Sequence, residues 1–404
     1  MRGSGTPSVT DALPMMSPKT RSKVAVLIVV RWPVGGIRSY LRYTYGLLSP
    51  NELELSIVGP ESAELDECRR ALSAFQPKLR ATRSSSITDI AAGVISVLQS
   101  TPIDVVHSQG YSSALAAAVP VRLKRLPHLV TIHDMFTDAL RKTWKVRLGR
   151  LGLAAALGVV DVIQPTGAAV EANLRSHMNL WPATRPRVRT LPNGVDVARF
   201  AGNERRDLRA ELQLKPNDFL VGFLGRFMAI KGFHCLISAM ELLRREGNLP
   251  AKPVVIAVGS GGFSREDRAF IERKGLGDHF RFLPHTNDVA ATLRGLDVLV
   301  IPSFSEASPI LPMEALCSGV HVVASDCPGL VEVLRESPAQ LFPVGDSAQL
   351  ARALRQTIQS GSPAVESFRS EAMKRFDSSR TALALRCLVL GLASGRDPLR
   401  RADA

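Results

Sequence analysis

The sequence predicts an α/β protein built from two facing, doubly wound Rossmann-like domains with a cleft between them. Three observations lead to that expectation. Apolar runs of strand length alternate with amphipathic helical stretches along most of the chain, as parallel sheets flanked by helices require. The alternation comes in two sets, separated by the Pro- and Arg-rich stretch from Pro182 to Asp196. A length of 404 residues, with 45% hydrophobic and 22% charged, suffices for two full cores in a globular protein.

Residues 1–22 are rich in Ser, Thr, Gly and Pro and hold no apolar core of signal-peptide length, so a disordered tail is expected. The first domain is expected over 23–185. Its strands read as VAVLIVV from Val24, LSIVG from Leu55, DVVHS from Asp104, HLVTIH from His128 and VDVIQPT from Val160. Thr88–Gln99 has a helical period between two of them. The first loop, RWPVGGIRSY, carries the pair Gly35-Gly36 but not the spaced glycines of a dinucleotide fingerprint, which excludes an ordinary dehydrogenase. His107 and His133-Asp134 close two strands at their carboxyl ends. Arg141–Leu157 mixes basic residues with Trp144, Val146, Leu148 and Leu151, a pattern that suits either a helix lying on a membrane surface or a domain helix whose apolar side is core. Residues 186–198 are expected to link the domains, with the turn signal Asn193-Gly194 inside LPNGVD.

The second domain is expected over 199–375. Its strands read as FLVGFLG from Phe219, PVVIAVG from Pro253, HFRFLP from His279, LDVLVIP from Leu296 and VHVVAS from Val320. Two motifs sit at strand ends, where open α/β sheets bind their ligands. After FLVGFLG come Arg226 and Lys231-Gly232, two cations before a helical stretch, a suitable cradle for a diphosphate. After LDVLVIP come Glu306 on a loop and Glu314 in the first turn of a short helix that Gly319 stops.

Glu306 and Glu314 form E-x7-E, preceded by Pro302-Ser303 and followed by ALCSGVHVVASDCPG. This resembles the donor-site signature of retaining glycosyltransferase family 4. Arg226 to Gly232 resembles the family's G-R-x4-K-G element. The resemblance runs from Lys23 to about Gly391, and it implies the GT-B fold. It also implies that a last helix, over 376–395 and including TALALRCLVLGL, crosses back to the first domain. By resemblance, Arg226 and Lys231 hold the donor diphosphate and Glu314 the nucleotide ribose. Glu306 lies near the sugar, His133 is the active-site histidine, and Gly35-Gly36 let backbone approach donor and acceptor. The activity so implied is transfer of a hexose, with retention, from a UDP- or GDP-sugar to a saccharide or lipid-linked acceptor, as in bacterial surface or exopolysaccharide synthesis. No convincing Asp-x-Asp occurs, so neither metal nor other cofactor is expected. The rival readings are a GT-B sugar-nucleotide epimerase and a basic nucleic-acid binder.

Net charge is +14, and residues 1–200 supply +11 of it, holding 25 Lys and Arg against 14 Asp and Glu. Such a field draws anionic surfaces. Aromatics are only 5% and no nucleic-acid-binding motif accompanies the charge, which disfavours nucleic acid as a partner. A cytoplasmic protein, peripheral at the inner membrane face, is the expectation. Five scattered cysteines agree with a reducing compartment.

Overall fold

The computed structural model describes residues 22–136, 144–178, 187–259, 261–262, 264–286, 288–361 and 365–395. The first half runs β1 (Val24–Val30), α1 (Gly36–Tyr43), β2 (Leu53–Pro60), α2 (Ala63–Ala71), β3 (Lys78–Thr82), α3 (Ile87–Ser100), β4 (Val105–Gln109), α4 (Tyr111–Leu123), β5 (His128–Ile132), α5 (Trp144–Gly158), β6 (Val162–Pro165), α6 (Ala168–His177) and β7 (Arg187–Val188). The second runs α7 (Leu208–Glu211), β8 (Phe219–Leu224), α8 (Phe233–Glu246), β9 (Pro253–Val258), α9 (Ser264–Arg273), β10 (Phe280–Leu283), α10 (Val289–Arg294), β11 (Val298–Ile301), α11 (Leu311–Cys317), β12 (His321–Ser325), α12 (Pro328–Leu334), β13 (Gln340–Phe342), α13 (Ser347–Ser360), α14 (Val365–Arg375) and α15 (Ser379–Ala393).

Among the described residues the strands form a seven-stranded sheet, β3-β2-β1-β4-β5-β6-β7, and a six-stranded sheet, β10-β9-β8-β11-β12-β13. Neighbouring strands pair in parallel throughout. Each sheet is buried on both faces, which is why its central strands read as unbroken apolar runs. In the first, Leu27, Val29 and Val58 pack against Ile90 and Val94 of α3 and Val121 of α4. In the second, Leu220, Val254 and Leu299 face Met313, Leu316 and Leu330, while Val221, Val255 and Val300 face Leu236, Met240 and Leu354.

The α15 helix belongs to the first sheet's core. Its Leu385, Leu388, Val389 and Leu392 pack with Val26, Ile28, Leu53, Leu55 and Ile57. Each such side chain contributes roughly 1.5–3 kcal/mol by burial, so the helix is an integral layer of the first half. The chain therefore crosses between halves twice, and the crossings touch. Val195 forms a parallel bridge with Asp377, its N–H donating to Phe376 O at 2.8 Å while Ser378 N–H donates to Val195 O at 3.0 Å. Gly194 makes room for this: a Cβ there would meet Phe376 O at 2.7 Å.

The structure differs from the sequence reading in three strands. The β3 strand has four exposed residues, and β7 and β13 are two and three residues long, so none shows as a buried run. The β7 strand also extends the first sheet into the segment read as linker, and Leu191 packs in the first half's core. The basic Trp144 segment falls partly outside the described residues. Its backbone is helical from Trp144. All five cysteines are free thiols, with Cys387 the exposed one.

Candidate active site

Both sheets change winding direction at their centre, between β1 and β4 in the first and between β8 and β11 in the second. Ligands of open α/β sheets bind at such points, beyond the carboxyl ends of the strands. The residues singled out from sequence leave these strands: Gly35-Gly36 follow β1, His133 follows β5, Arg226 and Lys231 follow β8, and Glu306 follows β11.

In the second half a backbone contact sets the geometry. Gly232 has φ +69°, and a Cβ on it would lie 1.8 Å from Pro302 O. Only glycine permits the loop after β8 to press on the loop after β11 in this way. The Phe304 N–H seals the contact by donating to Ile230 O at 2.8 Å. Lys231 Nζ then lies 2.8 Å and 2.9 Å from the two oxygens of Glu306, and Ser303 Oγ donates to Glu306 Oε1 at 2.7 Å. Glu306 is thus held by two donors. Arg226 is exposed, and no hydrogen bond or ion pair among the described residues engages its guanidinium.

Glu314 lies in the first turn of α11 and is 6% exposed. Its Oε1 accepts from Tyr43 Oη at 2.7 Å, a bond to the C-terminal end of α1. Burial raises the Glu314 carboxyl above the usual range, while the Tyr43 bond and the charges of Arg199 and Arg42 pull it down. Burial and the Glu314 charge push the Tyr43 phenol up, so it stays protonated and donates.

On the opposite wall Gly35, at φ +54°, precedes the first turn of α1, and open space lies in front of both glycines of the pair. His133 Nε2 pairs with Gln109 Oε1 at 2.8 Å, and its ring stands edge-on to Tyr40 with centroids 4.9 Å apart. Enclosure by the cleft floor lowers His133 to about 3, so the imidazole is neutral. With Gln109 Oε1 as acceptor, the proton sits on Nε2 and Nδ1 carries a lone pair. Asp134 beside it is raised by desolvation and pulled back by the charges of Arg226 and Lys231 of the second half.

His107, also at a strand end, does not reach the cleft. It is fully buried, with Nδ1 at 2.7 Å from Tyr45 Oη and Nε2 at 2.6 Å from Thr131 Oγ1. Asn193, a boundary marker in the sequence, donates through Nδ2 to Ser308 O at 2.7 Å and so joins the crossing to the Glu306 loop.

The structure therefore brings Lys231, Glu306 and Ser303 into contact, and the charges of Arg226 and Lys231 act on Asp134, the residue after His133. It ties Glu314 to the helix that Gly35-Gly36 begin. Tyr43 and Gln109 did not stand out in the sequence, and Ser303 did so only as part of the run before Glu306. The available signal for Tyr43 was compositional: three of the chain's four tyrosines, Tyr40, Tyr43 and Tyr45, fall just after the glycine pair. Among the described residues no group of three or more His, Cys, Asp or Glu is placed to hold a metal ion.

Comparison with known proteins agrees with this architecture. Residues 34–199 match the model of Glycosyltransferase Family 4, and residues 204–375 match that of Glycosyl transferases group 1. A D-inositol 3-phosphate glycosyltransferase of Nocardia farcinica is 32% identical over 187 residues, 45% of this chain and 42% of the relative. The match thus spans less than half of that relative's length. Another, of Pseudarthrobacter chlorophenolicus, is 27% identical over 290 residues, 69% of this chain and 68% of the relative. Among solved structures, Anabaena HepE in complex with UDP and glucose superposes with a TM-score of 0.75 at 18% identity, covering 90% of this chain and 98% of that one. Sucrose-phosphate synthase from Thermosynechococcus elongatus gives 0.72 at 17%, covering 92% and 100%. These likenesses establish the GT-B fold. The two family models match adjoining halves of one chain, in order and across the same cleft, and the protein belongs to the group 1 glycosyltransferases of glycosyltransferase family 4.

Proposed function

We propose that this protein moves a hexose from a UDP- or GDP-sugar to a hydroxyl acceptor with retention at the anomeric carbon, and that protein cations rather than a metal hold the departing diphosphate. The observation that carries the reading is the set at the second sheet's winding change: among the described residues, Arg226 has no hydrogen-bond or ion-pair partner and the Lys231 ammonium is held by Glu306 alone. A diphosphate entering there gives both cations a partner. As the glycosidic bond to the diphosphate lengthens, negative charge grows on the leaving oxygens, where fixed cations stabilise it most. Lys231 turning toward phosphate also leaves Glu306, still bonded by Ser303, to face the positive charge developing on the sugar. The neutral His133 offers its Nδ1 lone pair to a sugar hydroxyl without adding charge.

For the acceptor, a membrane-borne or lipid-linked saccharide in polysaccharide synthesis is the reading we favour. No helix among the described residues is long and apolar enough to cross a membrane. The α4 helix exposes Val119 at 67% and Leu123 at 78%, with Arg122, Lys124 and Arg125 exposed around them. Leu151 of α5, which packs against α4, is 51% exposed. An apolar strip edged with cations suits the inner face of an anionic membrane. The names of the relatives favour a second reading, a polyol phosphate acceptor.

The test is a thermal-shift panel of UDP-, GDP- and ADP-sugars, followed by transfer assays with saccharide, lipid-linked and inositol phosphate acceptors, each with and without EDTA. A donor at a hundred times its Kd stabilises by about 2.7 kcal/mol. The expected result is one donor nucleotide, release of free nucleotide only with acceptor, and no loss in EDTA. An epimerised sugar formed from the donor without acceptor would point to an epimerase, and no shift by any sugar nucleotide would overturn the reading.

A further inference from the structure

Tyr43 belongs to α1 by sequence but to the second half by packing. Its ring lies edge-on to Phe200, with centroids 6.5 Å apart and planes at 78°, in a core that also holds Leu316, Val320 and Met313. The residue is 3% exposed, and its hydroxyl reaches Glu314, 271 residues away in sequence. Among the described residues this is the one hydrogen bond to the Glu314 side chain. Arg199 and Arg42 act on the carboxylate through charge.

A carboxylate has two oxygens, and a hydroxyl donor on one of them fixes the plane of both. We propose that Tyr43 is a positioning and specificity residue for the nucleotide ribose: by holding Oε1 it sets Oε2 of Glu314 to accept from the ribose hydroxyls. This inference rests on the reading of Glu314 as the ribose-holding carboxylate. The α1 helix then serves the nucleotide at both ends, with the glycine pair at its start and Tyr43 at its finish. Discrimination between a ribonucleotide and its deoxy counterpart thereby depends on the half of the protein that does not carry Glu314. Without the hydroxyl, the carboxylate turns or takes up a proton, and its preference for a pair of hydroxyls weakens.

The experiment measures Kd values of wild type, Tyr43→Phe and Glu314→Gln for UDP and GDP and for their 2′-deoxy and 3′-deoxy counterparts. Each readout is a ratio within one variant, so it does not depend on how much protein is folded, and Phe keeps the ring in its core. The expected result is a wild-type preference for the ribonucleotide of about tenfold, as for a hydrogen bond to a charged group, collapsing toward unity in both variants. If Glu314→Gln loses the preference and Tyr43→Phe keeps it, the role of Tyr43 is overturned and that of Glu314 stands. If wild type binds neither diphosphate, shows no preference, or keeps it in Glu314→Gln, the ribose reading itself falls.

Discussion

Lys231 and Glu306 come from loops 75 residues apart, yet each is the other's ion-pair partner, so substituting one alters the other. On the proposed reading Lys231→Ala removes a diphosphate contact, and among the described residues it leaves Ser303 as the donor to the Glu306 carboxylate. On the same reading Arg226→Ala removes a phosphate contact alone, because that guanidinium makes no hydrogen bond or ion pair among the described residues. Each should cost about 2 kcal/mol or more in transition-state stabilisation, a loss in kcat/KM of roughly thirtyfold, with the fold intact. Turnover near wild type in both variants would sink the diphosphate assignment. Buried histidines make a separate prediction. His107 and His128 are sealed in the first sheet, and burial lowers both from 6.5 to about 3. Between those values the unfolded chain takes up protons that the folded protein refuses, so stability is full above pH 6.5 and falls as pH drops toward 3. Glu314, raised by burial, acts in the opposite sense and softens the slope. The urea midpoint should therefore be lower at pH 5 than at pH 7.5. Equal midpoints would show that these rings do not govern acid sensitivity.

One glycine links the loops after β8 and β11. Gly232→Ala adds a Cβ at 1.8 Å from Pro302 O in a left-handed conformation, and the loops must separate. The expected cost is about 2–4 kcal/mol of stability, with lost donor binding, because Lys231 and Glu306 no longer meet. A variant with wild-type melting and unchanged donor affinity would contradict the contact. The same loops show what could be read before the structure. Buried strands such as Val24–Val30 and Val298–Ile301 announce themselves because both faces are covered. The edge strand Lys78–Thr82 does not, since four of its five residues meet solvent. Arg226, Lys231, Glu306 and Glu314 were legible because each follows or flanks such a run. The bond of Tyr43 to Glu314 was not, because it depends on how two separately folded sheets dock.

That docking is made by a few specific contacts. Glu332 of α12 accepts at 2.7 Å from both Ala168 N–H and Ala169 N–H, capping α6 of the opposite half. Arg38 Nη2 lies 2.9 Å from His285 Nε2. Residues 1–200 carry a surplus of +11 in sequence, and Arg122, Lys124 and Arg125 are exposed at the C-terminal end of α4. Vesicles containing anionic lipid should retain the protein at low salt and release it as salt rises, since each basic residue near the surface contributes about 1 kcal/mol and is screened within a Debye length. Co-sedimentation at two salt concentrations checks this. Indifference to anionic vesicles at low salt would make a soluble acceptor the better reading.

The return of α15 to the first sheet has a consequence for how the chain is made. The core around β1 and β2 needs Leu385, Leu388, Val389 and Leu392 to be complete. On the ribosome, β1 to β7 emerge first but wait for some two hundred further residues before that groove is covered, and the second half can finish folding in the interval. Order of synthesis and order of completion are thus reversed for the two halves. The period of greatest risk of aggregation is the one in which an open apolar groove is tethered to a finished neighbour.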